Sequence, residues 1–192
     1  MATPPALVPD WLQLVRPVSD PRLQPIVPSS RSSCWYVEVE FQRHRLPPGA
    51  TKPPWGETYG KTQIVGDDGQ WSVAEIELVR RFRAAGWSAG WIDTFGSAPS
   101  RWSSWLVDPG ELPTLLRRSF NAITDDASVT GGGMPDVIGW RGDTLSDAVF
   151  VEYKGPSDRI RPGQDAWLEA ALRKGMSPDQ FLVAKWPKSR AR

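Results

Sequence analysis

Residues 148–154 read AVFVEYK and residues 134–140 read MPDVIGW, and how these two stretches pair decides the fold. In an extended chain successive side chains alternate faces, so Glu152 and Lys154 share one face of the first stretch while Val149, Val151 and Tyr153 share the other. A carboxylate and an ammonium therefore project together from the end of an otherwise apolar strand. Residues 141–147 supply the turn between the two strands, and a hairpin pairing brings Asp136 close to Glu152 and Lys154. Two carboxylates and a lysine converging at one strand end suit a hard divalent cation such as Mg2+, which prefers oxygen ligands and keeps several waters. The lysine is then placed to orient or polarise an attacking water while the metal stabilises charge developing on a phosphate.

Working outward from this pair, the pattern predicts an α/β core. A helix is expected over 73–85, ending at Gly86, with Ser72 and Glu75 spaced as a capping box and Trp71 and Ile76 as the staple around it. A strand over 87–95, a helix over 112–122 and a glycine-rich turn over 130–133 follow. No Gly-Lys-Ser/Thr follows Gly131-Gly132-Gly133, so this run is read as a tight turn into the strand bearing Asp136 and not as a phosphate-binding loop. Gly155-Pro156 stops the second strand. A helix over 162–174 closing at Gly175, then a short strand over 181–184, complete the core. Upstream, residues 34–41 (CWYVEVEF) read as a strand and residues 46–60 as a Pro/Gly-rich loop.

The chain of 192 residues, 40% hydrophobic and 23% charged, is long enough for one domain with an appended arm. Seven of its 19 prolines fall in the first 30 residues, which marks 1–33 as a proline-rich arm and 34–192 as the folded domain, its motif-bearing core at 72–184. The arm carries Trp11, Leu12, Leu14, Val15, Leu23 and Ile26, an apolar set suited to docking on the body or on a protein partner. A formal net charge of +1 draws the protein to neither nucleic acid nor a membrane surface, so any such affinity comes from local clustering. A lone Cys34 excludes an intrachain disulfide and every multi-cysteine zinc site, and His44 is the only histidine, which removes His-pair chemistry. No apolar run approaches the length of a membrane span and no leader pattern opens the sequence, so a cytoplasmic location without membrane contact is expected.

Met134-Pro135-Asp136 followed by Glu152-Tyr153-Lys154 resembles the PD-(D/E)xK nuclease superfamily. The continuation from Gly155 through Pro156, Ser157, Asp158, Arg159, Ile160 and Arg161 to Gln164 and Trp167-Leu168 resembles, within it, the VRR-NUC domain. This likeness is close over about 134–175 and looser back to about residue 72. It implies a restriction-endonuclease-like α/β fold, a mixed sheet flanked by helices. It also implies a metal-dependent phosphodiesterase acting on DNA with Mg2+ or Mn2+, in which Asp136, Glu152 and the Tyr153 backbone carbonyl hold the metal and Lys154 positions water or substrate. The family's core also opens with a helix that often supplies an acidic residue. Glu75 has Leu78, Val79 and Phe82 at i+3, i+4 and i+7 and so lies on an apolar stripe, whereas Glu77 has Arg80 and Arg81 at i+3 and i+4 and reads as a solvated ion-pair face. Placement favours Glu75 as the catalytic candidate, with a purely capping role as the competing reading.

Gln164 shares a helical face with Trp167, Leu168 and Ala171, and a polar side chain there needs a hydrogen-bond partner. The resemblance makes that partner the site edge or a phosphate; an internal helix-to-strand bond is the alternative. From 154 to 192 nine Lys and Arg face four Asp and Glu, against seven and seven over 1–74. Arg159 and Arg161 beside the site, with Lys185, are the candidate nucleic-acid contacts, joined by Lys188, Arg190 and Arg192 at the end of the chain. Trp102 and Trp105, next to Arg101, are candidates for base stacking, while core packing is expected of most of the eleven tryptophans. Four functional readings stay open: a nuclease for flap or branched DNA, a duplex endonuclease of restriction or anti-phage type, a nucleic-acid-binding module without turnover, and an interaction scaffold built on the arm. A homodimer also stands among the partner expectations.

Overall fold

A computed structural model describes residues 24–26, 34–39, 42–43, 61, 63–67, 69, 71–92, 106–129 and 133–186. Most of the arm, His44, the loop expected over 46–60, Arg101, Trp102, Trp105, Gly131, Gly132 and residues 187–192 lie outside the described residues. So do the basic residues Lys188, Arg190 and Arg192.

The strands are β1 (Gln24–Ile26), β2 (Cys34–Glu38), β3 (Gln42–Arg43), β4 (Gln63–Val65) and β5 (Trp71–Val73), then helix α1 (Ala74–Ala84) and β6 (Ser88–Ile92). After β7 (Leu106–Val107) come α2 (Thr114–Ala127), β8 (Val137–Trp140), β9 (Ala148–Lys154), α3 (Pro162–Arg173) and β10 (Phe181–Lys185). Seven strands form one sheet in the order β1-β2-β10-β9-β8-β6-β7, and β3-β4-β5 form a small antiparallel sheet of their own. The large sheet is mixed: β8 pairs antiparallel with β9 and with β6, whereas β10 pairs parallel with both β9 and β2. A mixed sheet flanked by helices is the α/β architecture expected of a restriction-endonuclease-like core.

The two faces of this sheet carry separate apolar layers. On one face α1 buries Leu78, Val79 and Phe82 against Val137, Val149 and Val151, with Ile64 and Val73 of the small sheet joining them. On the other, α2 and α3 bury Leu116, Phe120, Ile123, Trp167 and Leu168 against Ile138, Phe150 and Val183. Strand alternation produces this division, since odd-numbered residues of β9 point one way and even-numbered ones the other. Trp167 anchors the second layer, its ring 5.0 Å from Phe150, 5.9 Å from Phe120 and 6.0 Å from Phe181, while its indole N–H donates to Thr124. Trp91 and Trp186 are buried as well, the core role expected of most tryptophans. Gly139, in the middle of β8, has a packing reason. A Cβ there would meet the Phe82 ring at 2.7 Å, so glycine is what lets α1 press onto the sheet.

Two local expectations are corrected. The capping box at Ser72 and Glu75 does not form: the N-cap of α1 is Val73, in an extended conformation, and Ser72 belongs to β5, where its hydroxyl donates to the Val73 carbonyl. Pairing of residues 71–73 with β4 claims Ser72 for the sheet before it can cap. Glu77 is not on a solvated face either. It is 1% exposed, accepts from the Asp67 amide at 3.1 Å and pairs with Arg80 and Arg81, while Arg81 also grips the Asp67 carboxylate. The β4–β5 turn folds over α1 and encloses the ion pairs that the i+3 and i+4 spacing had placed in water. Among the described residues, no helix is long and apolar enough to cross a membrane.

Candidate active site

The β8–β9 register pairs Val137 with Val151 and Ile138 with Phe150, and carrying it one step further sets Asp136 opposite Glu152. The hairpin expectation is met in atomic detail, because one carboxylate oxygen of Asp136 accepts the Tyr153 backbone N–H at 2.8 Å. The Asp136 carbonyl also accepts from Ile92 N at 2.8 Å, which fixes the residue between β6 and β9.

Glu152, Lys154 and Gln164 are 2%, 5% and 6% exposed and form one closed polar cluster. Lys154 Nζ donates to Glu152 Oε1 at 2.8 Å and to Gln164 Oε1 at 2.7 Å, and Gln164 Nε2 donates to the same Glu152 oxygen at 2.5 Å. Gln164 Oε1 further accepts the Arg161 backbone N–H at 2.8 Å, a bond back to the residue that precedes α3. Of the two alternatives set out for Gln164, the structure shows the internal helix-to-strand bond, made to Glu152 and Lys154. Gly133 lets the chain entering β8 pass close to Val129 and the start of α3, since a Cβ there would lie 2.7 Å from the Val129 side chain and 3.2 Å from the Gly163 backbone.

From the other face, α1 contributes Glu75, which is fully buried at the site. One oxygen of Glu75 pairs with Lys61 Nζ at 2.5 Å. Lys61, two residues before β4, is a site residue that the sequence reading missed. Three charged side chains of the site are shifted. Burial pushes the Glu152 carboxyl well above the usual carboxylate range, the neighbouring Asp136 charge pushes it further, and Lys154 only partly opposes them. Burial likewise raises Glu75, against the pull of Lys61 and with a smaller push from Asp136. Burial disfavours the Lys61 ammonium, but Glu75, Asp136 and Glu152 together outweigh it and hold that lysine above its ordinary value.

Two carboxylate oxygens of the site, Glu75 Oε2 and Glu152 Oε2, are buried and reached by no hydrogen-bond donor among the described residues, the Glu152 carboxyl facing that of Asp136 instead. Such oxygens are costly unless something else completes them. Among the described residues no group of three or more His, Cys, Asp and Glu closes into a ready-made metal cage. An Mg2+ ion does not require one, since one or two carboxylates plus water and phosphate oxygens suffice. Orphaned, buried, hard oxygen donors beside Asp136 therefore fit a divalent cation.

Past β9, the turn 155–158 is tied by Asp158, whose side chain accepts the Gly155 N–H at 3.0 Å while its own N–H donates to the Gly155 carbonyl. It presents Arg159 and Arg161 to solvent next to the cluster. Lys185 is half-buried and lies beside Lys154 in the β9–β10 register. Arg173 lies at the opposite end of α3, paired with Asp126 at 2.9 Å, so the basic excess of this segment is only partly gathered at the site.

A mixed sheet between helices brings Asp136, Glu152 and Lys154 to one strand end, as the resemblance to the PD-(D/E)xK nucleases implies. Residues 109–183 match the family model of the VRR-NUC domain, a family of the PD-(D/E)xK nuclease-like superfamily. The matched segment contains Asp136, Glu152, Lys154 and Gln164 and leaves α1, with Glu75, and Lys61 outside it. No curated protein and no solved structure matches the chain.

Proposed function

We propose that this chain is a Mg2+- or Mn2+-dependent deoxyribonuclease that hydrolyses phosphodiester bonds, with flap or branched DNA as its substrate. The observation that carries the reading is the pair of buried oxygens, Glu75 Oε2 and Glu152 Oε2, that no donor among the described residues reaches, with Glu152 opposite Asp136 and in one cluster with Lys154. In this reading Asp136, Glu152 and the Tyr153 carbonyl hold the metal, with Glu75 completing the site from α1. When bound, the divalent ion supplies charge stabilisation on the phosphate and a more acidic water. Lys154 orients the attacking water. Gln164 holds both Lys154 Nζ and Glu152 Oε1, so the ammonium meets the water from a fixed direction instead of sampling rotamers. Arg159 and Arg161, exposed on the turn after β9, together with Lys185, take backbone phosphates of the strand being cut.

The nuclease unit in this proposal is 34–192, with 1–33 as its arm. β2 inserts beside β10 in the large sheet and β1, within the arm, pairs with β2, so residues 24–26 of the arm belong to that sheet as well. A cytoplasmic setting agrees with a chain that has a single cysteine.

The test is cleavage of labelled duplex, single-stranded, flap and four-way DNA by purified protein in Mg2+, Mn2+ or EDTA. Cleavage that needs the divalent ion and is strongest on flap or four-way DNA is the expected result. Binding of these DNAs without cleavage in either metal would favour a module that keeps the fold and lacks turnover.

A further inference from the structure

Lys61 has no role in the reading above, yet it is the best-placed cation on the α1 side of the site. Its Nζ pairs with Glu75 Oε1, and Glu75 does most to hold the ammonium charged, with Asp136 and then Glu152 adding less, the three carboxylates proposed to receive the metal. The ammonium also lies 5.7 Å from the centre of the Trp91 ring, so an aromatic face borders it on one side. The side chain is 32% exposed, against 1% for its partner. It therefore reaches inward from the rim to a buried carboxylate and has solvent available behind it.

Counting formal charges, three carboxylates and Lys154 leave two negative charges at the site, and Lys61 reduces this to one. A lysine ammonium is a compact charge on a flexible stem, well suited to fill an anionic site and to leave it again. It fills this one incompletely, since no donor among the described residues reaches the second oxygens of Glu75 and Glu152.

We propose that Lys61 is a tethered cation that stands in for the divalent ion at Glu75 in the metal-free protein and is displaced when the ion binds, so that this lysine sets the metal concentration at which the site fills. The inference rests on the metal-site reading of Asp136, Glu152 and Glu75 and deepens it. Two consequences follow from like-charge repulsion. Neutralising Lys61 removes a positive charge that opposes the incoming ion, so metal binds more tightly. It also removes the counter-charge of a buried carboxylate, so the metal-free protein becomes less stable.

The experiment is calorimetric titration of the metal-stripped full chain with Mn2+, with melting temperatures taken in EDTA and in millimolar Mn2+. The proteins are the parent, Lys61→Met, Lys61→Gln, which keeps a hydrogen-bond donor without the charge, and Lys61→Arg, which keeps the charge. The dissociation constant should fall about tenfold or more in the Met and Gln variants and stay at the parent value in Lys61→Arg. In EDTA both neutral variants should melt below the parent, and Mn2+ should narrow or reverse that gap. Should they fail to fold without metal, Mn2+ must restore them at a lower concentration than fills the parent, and failure to do so overturns the inference. Parent-like or weaker Mn2+ binding by the neutral variants, with the parent itself binding, overturns it and leaves the metal site standing. Absence of Mn2+ binding by the parent overturns the metal-site reading and the inference together.

Discussion

The Lys154 ammonium and the Glu152 carboxylate lie 2.8 Å apart at the end of β9, both almost entirely removed from solvent. A strand that buries two opposite charges two residues apart must hold them in a closed hydrogen-bond set, and Gln164 closes it. The arrangement makes Lys154 a structural partner as well as the candidate water-positioning group, so its replacement has two separable effects.

Lys154→Met should lose divalent-dependent cleavage by about 10²–10⁴-fold, the usual span for a positioned proton-handling group. An isolated charge left on buried Glu152 would cost about 3–5 kcal/mol, but this carboxyl is already pushed upward and can take a proton instead. The variant should therefore fold near pH 5 and be clearly destabilised near pH 8, as followed by circular dichroism melts. Retained turnover would remove Lys154 from the mechanism.

The metal-free parent has its own pH signature. A carboxyl whose folded pKa is raised binds its proton more firmly in the native state than in the unfolded chain. Its contribution is thus most favourable below the ordinary carboxylate value and is lost as pH rises toward the folded one. In EDTA the parent's melting temperature should fall more steeply between about pH 5 and pH 8 than that of Glu152→Gln, whose side chain has no proton to lose. Parallel curves for the two proteins would mean that Glu152 carries no such shift.

Glu75 and Glu77, both buried on α1, should separate by readout. Glu75→Gln removes a charge that burial already opposes, so it should cost little stability in EDTA and most of the divalent-dependent cleavage. Glu77→Gln should lower stability by about 1–3 kcal/mol, because it weakens the tie to the Asp67 amide and to Arg80 and Arg81. Its cleavage rate per folded molecule should stay near the parent's. Equal loss of cleavage in both variants would deny Glu75 a role at the site.

How much of this could be read beforehand depended on how locally each feature is encoded. Period-2 alternation in AVFVEYK and a seven-residue turn were enough to expect a hairpin that brings Asp136 close to Glu152 and Lys154, while the register that sets Asp136 opposite Glu152 is seen in the strand pairing. Gln164 stood out as a polar residue on an apolar helical stripe, which a buried partner alone explains. Lys61 carried no such signal: it sits 14 residues before Glu75, on no periodic pattern, and reaches the site through the packing of β4 and β5 against α1. Glu77 misled for the same reason, since a tertiary contact from the Asp67 turn converts an exposed-looking ion pair into a buried one. Ser72 misled in the opposite direction, as strand pairing overrode a local capping signal.

The measurement that bears most directly on the central claim is single-turnover cleavage of labelled flap DNA in Mn2+ by the parent and by Asp136→Asn, with both proteins melted in EDTA and in Mn2+. Asn can still accept the Tyr153 N–H, so the variant should keep its fold and, without metal, melt no lower than the parent. Relief of charge repulsion at Glu152 gives it room to melt higher. The account predicts that Mn2+ raises the parent's melting temperature, raises the variant's less or not at all, and supports cleavage by the parent alone. A variant that cleaves like the parent, or one that is strongly destabilised in EDTA yet gains the parent's full Mn2+ shift, would make Asp136 a structural turn residue and contradict the metal site.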